Sequence, residues 1–160
     1  MLKQPPSFEE HLPHLAYDSV IFGFNGSELK ILVLEYHNTG LFALPGGFVK
    51  RYEDVDAAAK RGLWERTGLD NIFLEQFYTF GNFTRSRPDI MRTILEANGF
   101  EVPDDYWILD RFISIAYYAL INYDEVMPKP DELSDNINWY PVDNLPKLMM
   151  DHQLIVEKAL

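Results

Sequence analysis

The sequence predicts an α/β fold in which helices cover both faces of a sheet, and three features carry that expectation. Residues 110–121 are apolar at nearly every position, with Ser114 the polar residue between Phe112 and Ile121. A strand of that composition is buried on both faces, so helices must lie on either side of it. Residues 17–24 and 29–36 are rich in β-branched, aromatic and aliphatic side chains and flank Asn25-Gly26, a strong hairpin signal. Residues 54–68 read as an amphipathic helix between two caps: Asp54 is a suitable N-cap, Asp56 places negative charge near the positive helix end, and Gly68 can close the helix in a left-handed conformation.

The remaining elements follow in order. Residues 1–15 are polar and Pro-rich and read as an arm, with one short helical turn at 8–12. Residues 41–44 form a short strand stopped by Pro45-Gly46-Gly47, and 73–80 form the strand after the helix. Between that strand and the long one lies an insertion, residues 84–109, whose Ile90, Met91, Ile94 and Leu95 repeat at helical spacing before Asn98-Gly99 ends the pattern. It is expected to act as a lid or contact element. Residues 138–141 read as a short strand, 143–146 as a helical turn, and 153–160 as a final helix. No Gly, Asn or Pro stops that helix, which leaves open that the 160 residues belong to a longer protein.

Bulk properties narrow the function. A chain of 160 residues with 47% hydrophobic content is the size of one ordinary domain and can bury a core unaided. No apolar run is long enough to cross a bilayer and the N-terminus does not resemble a signal peptide, so a cytoplasmic location with no membrane partner is expected. The absence of cysteine excludes disulfides and thiol catalysis. A formal charge of −11 opposes binding to nucleic-acid backbones. The short basic pairs Arg85 with Arg87 and Lys50 with Arg51 read as solvated surface charge.

The chemistry concentrates between Gly46 and Leu69. Gly47 is followed after five residues by Glu53, then after seven by Arg61, and the helix closes on Gly68-Leu69. This frame resembles the Nudix box. The resemblance implies a mixed sheet between helical layers, the Nudix α/β/α sandwich. It also implies a helix face of three acids at positions 62, 65 and 66 that binds magnesium, with Glu53 assisting from the loop. Positions three and four apart share a helix face, and magnesium favours such carboxylate oxygens.

Here those positions read Gly62, Glu65 and Arg66. Glu65 and Glu53 are therefore the candidate catalytic and metal-binding residues, and they make a poor magnesium cage. Gly62 offers no ligand and costs a helix interior about 1 kcal/mol relative to Ala. Arg66 is permanently charged and would repel a cation, yet its planar fork suits phosphate. Arg66 is expected either to contact an anionic ligand or to point to solvent or pair with Glu65 or Asp70. Arg61 is assigned to the scaffold, pairing with Glu53 or Glu65.

Outside the box, Leu44-Pro45-Gly46-Gly47-Phe48-Val49, residues 74–81, residues 114–120, Leu145-Pro146-Lys147-Leu148 and Asp151-His152 resemble the sensor domain of Nudix-related transcriptional regulators. Such proteins respond to nicotinamide-cofactor metabolites or sugars, often have an eroded box, and bind DNA through a winged helix. No winged helix lies within these 160 residues, so DNA would be reached only through another domain. The resemblance implies a small phosphorylated or sugar ligand and a homodimer. By that resemblance Arg111 faces the binding groove, either to meet phosphate or as a paired structural Arg. With Arg66, the candidate ligand contacts are Gly46, Gly47, Phe48 and Phe80, and Tyr36, Phe48, Phe80 and Tyr117 are expected as stacking residues or plain core. His152 reads as a cap or turn contact.

The function expected is a ligand sensor with impaired or absent hydrolysis, its ligand a phosphorylated nucleoside such as an ADP-ribose-like compound, or a sugar. The alternative is a magnesium-dependent hydrolase of ADP-ribose-like substrates, drawing further acids from Asp104, Asp105 or Asp110. An interaction module built on the insertion helix is a third reading.

Overall fold

The computed structural model describes residues 5–160, so residues 1–4 of the expected arm lie outside the description. Its first strand, β1 (His11–Phe24), alternates its side chains between two cores. Tyr17 and Ile21 enter one cluster, where Ala58, Ala59 and Leu63 of helix α1 (Val55–Thr67) meet them. Val20 and Phe22 enter another, covered by Ile155 and Val156 of α3 (His152–Ala159). Strand β2 (Leu29–Tyr36) repeats the pattern, with Leu32 and Leu34 toward α1 and Ile31 and Val33 toward α3. The double coverage expected from the apolar strands is therefore present.

The sheet runs β3 (Phe42–Ala43), β2, β1, β6 (Ile113–Ile121), β5 (Glu75–Phe80); β4 (Gly46–Lys50) pairs with β1, and β7 (Ser134–Pro141) pairs with β2. β1 and β6 are parallel from Leu15↔Ile113 to Gly23↔Ile121, and the other pairs are antiparallel. The sheet is mixed, and it is sandwiched between helices.

Several boundaries differ from expectation. The segment 11–15, read as arm, begins β1, because Leu12 and Leu15 pack on the α1-side core and His11 pairs with Lys50. Its irregular composition reflects a register shift between His11 and Ala16, with His14 at φ 67°. Gly46 and Gly47 do not stop the chain but open β4 beside Asp18 and Tyr17. β5 begins at Glu75 and leaves Phe73 exposed. β6 begins at Ile113, since Trp107–Leu109 forms a 3₁₀ turn and Phe112 packs back on Trp107. β7 starts four residues early because its outward positions are polar, which hid it from a hydrophobicity reading. Residues 143–146 form no helix: a turn over 141–144, closed by the Asn144 amide on the Pro141 carbonyl, leads into irregular chain.

The box helix starts and ends where its caps indicated. Gly68 is left-handed at φ 77°, whereas Asp54 occupies the N-cap position without a side-chain capping bond. The insertion contains α2 (Pro88–Ala97) and carries its own small core of Leu95, Trp107, Ile108 and Phe112, on which Phe48 rests. Among the described residues, no helix is long and apolar enough to cross a membrane.

Candidate functional site

A cavity of about 550 Å³ opens between the box helix, β4 and the insertion. Its size suits a small organic ligand. Gly46, Gly47 and Phe48 form one part of its wall, and Arg61, Gly62, Glu65 and Arg66 of α1 form another. The insertion adds a largely apolar side through Met91, Ile94, Leu95, Phe100 and Ile108. The segment expected to be a lid or contact element is thus a wall of the cavity.

At the centre stands Tyr17, 2% exposed, its phenol inserted between two glycines. A Cβ at position 47 would lie 2.6 Å from Tyr17 Oη, and one at position 62 would lie 2.5 Å from Cζ and closer still to Oη. Gly62 therefore has a packing cause: Tyr17 takes the space in which a carboxylate-bearing side chain would begin. Burial raises the phenol's pKa above its usual 10.0, with Arg61 and Arg66 opposing that shift.

Arg61 holds both retained box acids. Its Nε donates to Glu53 Oε2 at 2.7 Å, Nη2 to Glu53 Oε1 at 2.9 Å, and Nη1 to Glu65 Oε2 at 3.0 Å. Nη2 also reaches the Phe48 carbonyl at 3.0 Å, which ties β4 to α1. The Arg61 hydrogen bonds hold the Glu53 carboxyl below its usual 4.5, against the opposing effect of burial. Among the described residues, no group of three His, Asp or Glu side chains is arranged to hold a metal ion.

Arg66 neither points to solvent nor pairs with Glu65 or Asp70. Its side chain is 13% exposed, and Nε stands 3.1 Å from Asp131 Oδ2 on the segment before β7. The guanidinium also lies over the Tyr36 ring, 5.2 Å from its centroid. Nε and Nη2 are nevertheless buried without a partner of hydrogen-bond geometry, so the approach to Asp131 satisfies charge better than it satisfies the donors. Burial works against the Arg66 charge, but Tyr36 and Asp131 outweigh it and raise the pKa further.

A buried polar network lies along the same cavity. Arg85, 6% exposed, makes a bidentate pair with Asp151 at 2.9 and 3.0 Å and donates to the Phe112 carbonyl at 3.0 Å. It is an anchor for the insertion, which corrects its reading as solvated surface charge; Arg87 does sit at the surface, on Asp89. Asp18 accepts from Ser114 Oγ at 2.6 Å and faces His152 Nε2 at 3.4 Å. His152 Nδ1 accepts the Leu44 amide at 3.0 Å, so its proton belongs on Nε2, and the residue serves as a buried junction between α3 and β3.

Other proposed contacts lie elsewhere. Arg111 does not reach the cavity: it precedes β6 on an exposed turn, donating to the Gly81 carbonyl at 3.0 Å and covering Phe83. Phe80 packs against the α3-side core beside Phe77, with the Tyr78 ring against it, and does not line the cavity. Tyr117 is α1-side core, and its hydroxyl donates to Asp56 at 2.5 Å. Of the three alternative acids, Asp110 lines the cavity, while Asp104 is exposed on Arg92. Tyr17, Asp18 and Asp131 were not singled out from sequence, because each acquires its role from contacts far along the chain.

Comparison with known proteins agrees with this architecture. The family described as the NUDIX domain matches residues 12–158. The chain is 29% identical over 154 residues to the ADPR responsive transcriptional repressor NtrR of Acinetobacter baylyi, covering 92% of this chain and 53% of the repressor. It thus spans about half of that relative's length. An ADP-ribose pyrophosphatase of Methanocaldococcus jannaschii is 28% identical over 148 residues, covering 91% of this chain and 72% of the relative. Among solved structures, the NUDIX domain of Shewanella oneidensis NrtR complexed with ADP ribose superposes with a TM-score of 0.68 at 25% identity, covering 92% of this chain and 86% of that one. With the box frame, the mixed sheet and a family match over nearly its whole length, the chain belongs to the Nudix family.

Proposed function

We propose that this domain binds a phosphorylated, ADP-ribose-like nucleoside or a sugar as an effector, hydrolyses it weakly or not at all, and serves as the sensing part of a transcriptional regulator. The observation that carries this reading is the state of the box helix. Tyr17 fills the space beside Gly62, a guanidinium stands at position 66, and Arg61 is paired with both Glu53 and Glu65. A magnesium ion would have to compete with Arg61 for both carboxylates while Arg66 repelled it. These residues do not fit the ion.

What they do fit is an anion beside an apolar wall. Arg66 supplies buried donors and positive charge, and the insertion supplies apolar surface for the rest of the ligand. The resemblance to a repressor described as ADPR responsive supports the choice of ligand class. DNA would be engaged by a domain outside these residues, and the working unit would be a cytoplasmic homodimer.

Calorimetric titration with ADP-ribose in the presence of a chelator tests the proposal. Binding is expected, with a clear loss of affinity in Arg66→Ala; unchanged affinity in that variant would sink the role of Arg66. The second reading, a working hydrolase, draws on Asp110 in the cavity wall and on the likeness to a pyrophosphatase. Magnesium-dependent release of product that disappears in Glu65→Gln would establish it instead.

A further inference from the structure

The contact between Arg66 and Asp131 is an ion pair inside a ligand-sized cavity, and both partners line it. Asp131 is aimed by its own turn. Oδ1 accepts from the Leu133 amide at 3.1 Å and from Ser134 Oγ at 2.9 Å, which leaves Oδ2 for Arg66. Arg66 gains a countercharge from this arrangement but no well-directed hydrogen bond at Nε or Nη2.

We infer that Asp131 is a specificity gate, a carboxylate resident on Arg66 that a diphosphate-bearing ligand replaces and a neutral sugar does not. The inference rests on the sensor reading above and decides between the two ligand classes that reading left open. A ligand shifts such an equilibrium only by its differential affinity for the two states. A neutral sugar brings no charge to offset the separation of a largely buried ion pair. A diphosphate brings at least two negative charges and several acceptor oxygens, enough to meet the donors that Asp131 leaves unsatisfied and to offset the carboxylate's departure.

Departure of Asp131 would also loosen the segment that carries it. That segment is attached to the body through the Lys129 amide on the Thr67 carbonyl at 2.7 Å, directly after Arg66, and through the His37 amide on the Leu133 carbonyl at 2.9 Å. Exchange at Arg66 is therefore coupled to the entry into β7.

The test titrates inorganic pyrophosphate, ADP-ribose and free ribose, each with chelator, into the unaltered chain, Asp131→Asn, Arg66→Ala and the double variant. Asp131→Asn is expected to bind pyrophosphate roughly tenfold more tightly, with the gain abolished when Arg66 is also replaced. Equal or weaker binding, or a gain that survives in the double variant, overturns the gate. Hydrogen exchange on the unaltered chain gives an independent reading even where Asp131→Asn fails to fold. Faster exchange at the Lys129 amide and at the His37 amide, the donors of those two bonds, on adding pyrophosphate supports the gate, and unchanged or slower exchange overturns it. The two proposals fail separately. ADP-ribose binding that ignores Asp131→Asn removes the gate and keeps the sensor, whereas pyrophosphate binding with this pattern but no ADP-ribose binding keeps the gate and removes the nucleoside reading.

Discussion

Tyr17 and Gly62 are complementary in shape: the phenol of one occupies the volume in which the side chain of the other would begin. A glycine inside a helix lowers helix stability, so its presence at 62 is explained by the ring it admits. The loss of an acid at this position and the burial of Tyr17 are one packing event.

Gly62→Ala should therefore destabilise the fold although Ala is the better helix former. The favourable propensity change of about 1 kcal/mol is set against displacement of a buried ring, and overpacking of this kind typically costs about 1–3 kcal/mol. With the ring this close, a net loss of about 2 kcal/mol is expected in urea denaturation. Adding Tyr17→Ala should make the two changes less than additive, since the second removes the clash created by the first.

The Arg61 clamp predicts an acid-sensitive share of stability. Glu53 has a folded-state pKa below its usual 4.5, owing first to its hydrogen bonds from Arg61. A carboxylate shifted in that direction contributes stability that is fully present above its unfolded value and is lost as pH falls through the folded one. Glu53→Gln should be less stable at neutral pH, and its stability should change less steeply than that of the unaltered chain below about pH 4.5. Denaturation midpoints between neutral pH and pH 3 would check this; parallel curves would refute the assignment.

The sequence exposed what depends on local pattern: the hairpin turn, the Gly68 cap, the α2 periodicity and the spacing that sets Arg61 against Glu53 and Glu65. It concealed what depends on distant partners. Arg85 and Arg87 look equivalent in the chain, yet one is buried on Asp151, 66 residues away, and the other rests on Asp89, two residues away. The resemblance sets Arg111 at the groove, but the strand begins only at Ile113, after the 3₁₀ turn at Trp107–Leu109, and the Arg111 side chain donates to the Gly81 carbonyl outside the cavity. The box losses at 62 and 66 were legible as missing ligands. Their replacements, Tyr17 and Asp131, were not, because no spacing rule links position 17 to 62 or 66 to 131.

Arg85 offers a test of the buried network. Replacing it with Ala leaves Asp151 buried without its partner and removes the donor to the Phe112 carbonyl, a change that typically costs about 3–5 kcal/mol. Because Arg85 joins the insertion to α3, the loss should appear both in the denaturation midpoint and as faster hydrogen exchange across residues 84–112. The double variant Arg85→Met with Asp151→Leu exchanges a buried ion pair for apolar contacts and should recover much of the stability. If Arg85→Ala alone is neutral, the pair contributes nothing and the insertion is held by its aromatic core.

Since Arg61 occupies Glu53 and Glu65 and Tyr17 fills the space beside position 62, restoring a single acid should not restore a magnesium site. Gly62→Glu alone adds a side chain where the phenol already lies, and should lose stability without gaining magnesium affinity. Arg66→Glu alone should set a carboxylate against Asp131 at close range. The combination Tyr17→Ala, Gly62→Glu and Arg66→Glu, with Asp131→Asn to remove that like charge, provides three helix acids and the room for them. Magnesium titration by calorimetry should detect binding in the fourfold variant and none in either single variant at millimolar metal. In the unaltered chain, a chelator should leave ADP-ribose affinity unchanged. A drop of tenfold or more on chelation would mean that a metal bridges the ligand after all, and that Arg61 releases its carboxylates when the cavity is filled.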